Sequence, residues 1–246
     1  MTYLKLEQEE QRKSPTMLDY AIGALVVIGI TKLWFPEAIP FRFFEFLNFR
    51  GTLWQAVSGA WPLFAWGIGI TSLMVFTTRN GDDEVFNAER NLFVRFLLSI
   101  WAGVSEEILF RWLLFFSAIA TVQLFNWLFF GWAGFGIPEW IYTNVMGPVA
   151  DFATLYFLHD ILFNGFGWAV GAAVISANGR FRDGHAYQGL LGFVNSWFCG
   201  MFFFWIMFNH GLFASMIVHA LYNLFIYLVI YIDSKIEHVL FYRTRY

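Results

Sequence analysis

Long apolar segments alternate with short polar stretches along this chain, and the length of each segment sets the elements it predicts. Thr16 followed by Asp19 forms a helix-start capping pattern. The apolar run behind it extends to Phe35, where Pro36 and Pro40 end it. Residues 41–50 alternate aromatics with Arg42, Glu45 and Arg50, a pattern expected of an amphipathic stretch lying at a membrane interface. A second run covers about Gln55 to Phe76, close to the roughly 20 residues that a helical crossing needs. Arg79 to Glu84 reads as a solvated polar turn.

From Asn91 to Phe135 the chain is too long and too apolar for one crossing, so two helices are expected, joined near Gln123 to Asn126. Gly134, Gly136 and Pro138 close that region. Apolar character resumes from Val145 to Ile175, interrupted by Asp151, His159, Asp160 and Asn164. A polar patch from Asn178 to His185 leads into a helix over about Ala186 to Phe208. A last helix over Gly211 to Ile230 precedes a tail carrying Lys235, Arg243 and Arg245.

Unbroken apolar segments favour helices over the alternating pattern of a barrel. The expected fold class is all-α: a polytopic transmembrane helical bundle of about seven or eight spans. It forms one membrane domain over 1–246, with a charged N-terminal tail over 1–15 and no internal repeat. Lys and Arg in both tails favour both ends in the cytoplasm and an even number of spans. Composition agrees: 59% of the 246 residues are hydrophobic and 13% charged, with a mean hydropathy of +0.57. These values lie far from those of soluble domains. A net charge of -3 without a basic face excludes nucleic acid as a partner. The single Cys199 excludes an intrachain disulfide and a cysteine metal cluster, leaving a packing role. The N-terminus lacks a signal-peptide pattern, so the first helix is expected to remain as an anchor.

Against this background, Glu106, Glu107 and Arg111 stand out. A charge inside a bilayer costs several kcal/mol unless paired or wetted, so such residues are functional candidates. On a helix, Glu107 and Arg111 are four residues apart and share a face, while Glu106 is turned about 100° away. One carboxylate is thereby neutralised and the other is free to face a polar cavity, which makes Glu106 the candidate base. A buried ionic lock between helices is the bland alternative. The last helix carries Ser215, His219, Asn223 and Tyr227 on one stripe. Phe181 lies four residues before His185, placed to support its ring if the turn is helical. Gly192, Ser196 and Gly200 form a small-residue ridge suited to close helix contact. His159 reads best as an Asp160 partner or interhelical donor, and His210 as a water-facing turn residue.

Three motifs in order, Glu106-Glu107-Ile108-Leu109-Phe110-Arg111, Phe181-x-x-x-His185 and His219-Ala220-Leu221-Tyr222-Asn223, resemble the CAAX protease and bacteriocin-processing (CPBP, Abi) membrane endopeptidases. The resemblance covers about Leu92 to Ile230. It implies a glutamic intramembrane endopeptidase in a bacterial cell membrane, acting without a cofactor on a membrane-associated or prenylated peptide or protein. By the same resemblance, Glu106 takes a proton from a water held by His185, and His219 and Asn223 stabilise the oxyanion. Glu107, Arg111 and Phe181 support them. Zinc held by Glu106, His185 and His219 is the second-ranked enzyme reading, although no His-Glu-x-x-His is present. A non-catalytic immunity factor, scaffold or small transporter is the reading from another class.

Overall fold

The computed structural model describes residues 16–78 and 92–243, and these are all-helical. The expected polar turn over Arg79 to Glu84 and the charged tail over 1–15 lie outside the described residues. Helix α1 (Met17–Trp34) opens with the expected capping box: the Thr16 hydroxyl accepts from Asp19 N, and the Asp19 carboxylate accepts from Thr16 N.

From Pro36 the chain, including the stretch expected to lie at a membrane interface, folds as a loop with two short 3₁₀ turns. Phe41 and Phe46 turn inward instead, 5% and 2% exposed, and pack edge-on against each other and against Phe116 and Phe208. The alternation of aromatics and charges over 41–50 therefore reflects a buried plug with a polar rim. Backbone carbonyls in this region hold neighbouring side chains: Gln123 Nε2 donates to Ala38 O at 2.8 Å, and Trp112 Nε1 donates to Phe43 O at 2.7 Å.

The next run is a bent pair, α2 (Leu53–Gly59) and α3 (Trp61–Thr78), inclined by 42°. After it, α4 (Leu92–Glu106) passes directly into a π-helical segment (Glu107–Leu114) and then α5 (Phe115–Leu128). The joint expected near Gln123 to Asn126 is absent. Both residues are helical, and the turn comes after Leu128, where Asn126 Oδ1 accepts from Glu139 N across the loop.

Helix α6 (Ile137–Ile141), a π-helical turn (Tyr142–Met146) and α7 (Gly147–Ala153) form one rod. The chain reverses through Leu155 and Tyr156, both at positive φ (52° and 63°), into a second π-helical turn (Asp160–Asn164). Tyr142 OH donates to Leu162 O at 2.6 Å across this hairpin. His159 pairs with the buried Asp151 at 2.6 Å, not with its neighbour Asp160.

Helix α8 (Trp168–Asp183) takes in most of the expected polar patch, as far as Asp183, and Asn178 within it is fully buried. Helix α9 (Gly189–His210) follows, and α10 (Leu212–Arg243) extends well past the expected end at Ile230. Among the described residues, four helices are long and apolar enough to cross a membrane, five if the bent pair is one crossing. Helix α8 packs in the interior against α5 and α9, and α4 lies along α10. That last seam is unusually close. A Cβ added at Gly103 would stand 2.7 Å from Met216 O and 2.9 Å from Ala220 N, so only glycine lets these backbones meet.

Candidate functional site

The α4–α10 seam brings the two glutamates to the last helix. Glu107 begins the π-helical segment with its side chain fully enclosed. Ser215 Oγ donates to its Oε2 at 2.6 Å, His219 Nδ1 lies 2.9 Å from its Oε1, and Arg111 Nη1 lies 3.3 Å from the same oxygen. Serine, histidine and arginine thus surround one carboxylate, which satisfies the general demand that a buried charge be paired and hydrogen-bonded.

His219 is held from several sides. Its ring stacks on Phe203 with centroids 4.2 Å apart and planes 19° apart, and Phe181 meets it edge-on at 6.1 Å. With Nδ1 donating to the Glu107 carboxylate, the neutral imidazole carries its bare acceptor at Nε2, and the protonated ring carries a second donor there. That nitrogen faces Glu106 Oε2 at 3.7 Å, beyond direct hydrogen-bond range. Glu106 is 16% exposed at its side chain, in contrast to its enclosed neighbour. The four groups form a chain, Arg111–Glu107–His219–Glu106, closed at one end and open at the other.

Arg111 at the closed end is wholly buried. Its guanidinium lies 4.1 Å over the Phe181 ring, 5.2 Å over Phe203 and 5.7 Å over Phe204. Cation–π contacts of this kind strengthen when desolvated. Phe181 joins three site residues, because His185 also sits on it, with ring centroids 4.6 Å apart. His185 Nδ1 donates to Phe181 O at 2.8 Å, the four-residue relation expected from a helical turn before the histidine.

The expected site residues are not all in contact. No hydrogen bond or ion pair links His185 to Glu106 or His219 among the described residues; the Phe181 ring contacts both imidazoles instead. Asn223 lies one turn beyond His219, half-buried and without a side-chain hydrogen bond among the described residues. Among the described residues no group of three His, Cys, Asp or Glu is gathered as a metal site would be. Tyr227 lies farther along the same stripe, its ring beneath Arg95 at 4.9 Å.

Three participants escaped the sequence reading. Phe203 gives no signal within a run of aromatics, and Gly103 none among the helix glycines. Asn178 was legible only as a polar residue near a helix end, and the surrounding buried run (Val174, Ile175, Ala177) was the available hint. Together the fold and the site define, among the described residues, an all-helical protein with several helices long and apolar enough to cross a membrane and a largely buried chain of acid, imidazole and guanidinium groups. No family model, curated protein or solved structure matches the chain.

Proposed function

We propose that this protein is a membrane endopeptidase of the glutamic type, similar to the CAAX protease and bacteriocin-processing enzymes, that hydrolyses a peptide bond of a membrane-associated or prenylated substrate. One observation carries the reading: two adjacent carboxylates share one imidazole, yet one is enclosed by Arg111 and Ser215 and the other is partly exposed. Glu106 takes a proton from water while the water oxygen attacks the substrate carbonyl carbon. His185 holds that water through Nε2, the nitrogen left free by its bond to Phe181 O. The carbonyl oxygen becomes an oxyanion facing His219 and Asn223, a role that favours donors on a rigid, shielded element. Collapse breaks the C–N bond, and the proton on Glu106 passes to the leaving amine.

The same reading gives a membrane arrangement. Helix α8, 16 residues long, adds one crossing to the five, and residues 137–166 form a hairpin that enters and leaves on one side. Six crossings put both ends of the described chain on the same side, fewer than the seven or eight expected from segment lengths. A second reading, a non-catalytic ionic lock, is favoured by the complete enclosure of Glu107 and Arg111. It leaves Glu106 without a purpose.

Comparison of protein termini in cells producing the wild type or Glu106→Gln separates the two. Proteolysis requires at least one terminus that appears only with the wild type. Identical sets of termini at equal membrane levels of both proteins would sink it in favour of the lock.

A further inference from the structure

Asn178 is a fully buried amide on α8, and its two ends are in different states. Its Nδ2 donates to Trp197 O on α9 at 3.0 Å, whereas its Oδ1 is buried with no hydrogen-bond partner. The bond to Trp197 O fixes the amide's orientation, because a flipped side chain would set two acceptors against each other. Oδ1 is thereby turned away from Trp197 O and toward Gly200, three residues farther along α9. A Cβ built on Gly200 would collide with Asn178 Oδ1, stand 2.8 Å from Phe181 Cδ1 and stand 3.0 Å from Arg111 Nη2. Amide oxygen, aromatic ring and guanidinium therefore converge on one point that only glycine leaves open.

Arg111 supplies the complementary need. Its Nε, Nη1 and Nη2 are all buried without a well-aligned acceptor, and its ion pair reaches only one oxygen of Glu107. A guanidinium has five N–H donors and no acceptor capacity. The unpaired acceptor and an unpaired donor, Arg111 Nη2, both border the space over Gly200.

We propose that Asn178 is a positioning residue: its carbonyl receives Arg111, and through Arg111 and Glu107 it holds the His219 ring in register with Glu106. The inference rests on reading that chain as the working site. Asn178 touches no reacting atom. Its effect passes through Arg111, whose other neighbours are Glu107, the rings of Phe181, Phe203 and Phe204, and the wall formed by Cys199 and Gly200 on α9.

The test compares wild type, Asn178→Leu, which keeps bulk but removes both the acceptor and the donor to Trp197 O, and Asn178→Asp, which also lacks that donor but keeps an acceptor for Arg111 and so isolates the acceptor's part. If the leucine variant does not fold, Asn178→Ala takes its place. The readout is the downfield proton resonance of the His219 Nδ1–H bonded to Glu107, in ring-labelled protein in detergent, assigned by its loss in His219→Gln. Loss of the acceptor is expected to shift or broaden this signal, and Asn178→Asp to retain it. Where a cleaved terminus has been identified, the leucine variant should cleave it about ten- to a hundred-fold more slowly, the scale for misplacing a catalytic group. An unchanged resonance in a folded acceptor-less variant overturns the positioning role. A resonance that moves in a protein without Glu106-dependent cleavage upholds the role and removes the peptidase reading. Glu106-dependent cleavage at the wild-type rate in Asn178→Leu does the reverse.

Discussion

Gly103→Ala is a sharp test of how this site is assembled, because it adds one methyl group to the seam on which the chain of charges depends. The new Cβ would lie 2.7 Å from Met216 O, 2.9 Å from Ala220 N and 3.0 Å from Ala220 Cβ. Two of these are backbone atoms of α10 and cannot rotate away. Bringing the Met216 contact to an ordinary separation of 3.4 Å requires the helices to part by about 0.7 Å. The same opening would take His219 Nδ1 and Glu107 Oε1 from 2.9 Å to about 3.6 Å, outside hydrogen-bond range. Overpacking costs about 1–3 kcal/mol, from which alanine's helix preference over glycine returns at most about 1 kcal/mol. Each weakened hydrogen bond to a charged group adds about 1.5–3 kcal/mol if it is lost outright. A net loss of about 2 kcal/mol corresponds to a Tm lower by about 4–8 °C for a chain of this size. Thermal unfolding in detergent measures it, with Gly69→Ala as the control: Gly69 is an exposed helical glycine whose added Cβ would meet nothing within 4 Å. The control should melt at or above the wild-type temperature. If Gly103→Ala melts with the wild type and keeps the His219 Nδ1–H signal, the close seam does not hold the site together.

The two glutamates should respond oppositely. Glu107→Gln leaves the buried Arg111 charge unpaired and is expected to cost about 3–5 kcal/mol, whereas the partly exposed Glu106→Gln should unfold like the wild type while losing cleavage; equal stability losses would contradict their different surroundings. Ser215→Ala removes the 2.6 Å donor to Glu107 and should cost about 1.5–3 kcal/mol, measured by the same melts, without abolishing the His219 signal. His159→Phe leaves Asp151 buried beside a ring that cannot donate to it. The loss in Tm should largely disappear in the double variant with Asp151→Asn, and strictly additive losses would show that the pair is not coupled.

How much of this was legible in the sequence depended on whether the cause was local. The capping box at Thr16 and the four-residue relations Glu107 to Arg111 and Phe181 to His185 follow from helix geometry, and all occur as expected. The cost of charge in an apolar run pointed to Glu106, Glu107 and Arg111 before any contact was known. Tertiary partners decided the rest. Asn178-Gly179-Arg180 reads as a polar helix end, yet Trp197 O and Gly200 on another helix bury its first residue. Phe41 and Phe46 belong to a stretch that scans as amphipathic, and a loop carried them into the core. His159 chose Asp151 over Asp160 because the chain reverses at Leu155 and Tyr156, a left-handed turn that no glycine or asparagine announces.

One imidazole lies between two adjacent acids because its nitrogens sit on different edges of the ring: Nδ1 is 2.9 Å from Glu107 Oε1 and Nε2 is 3.7 Å from Glu106 Oε2. On a regular α-helix Glu106 and Glu107 point about 100° apart, and a single partner would ordinarily contact one of them. The change from i→i+4 to i→i+5 pairing at Glu107 adds about one residue per turn and swings later side chains around the axis. Arg111 meets Glu107 obliquely: one guanidinium nitrogen lies 3.3 Å from one oxygen, and the body of the group lies over the Phe181 ring. Oε1 is shared between arginine and histidine, and His219 keeps its far nitrogen toward Glu106. Glu107, the first residue of the π-helical segment, is therefore the junction of the site: its Oε1 is divided between Arg111 and His219, while its Oε2 takes the Ser215 hydroxyl.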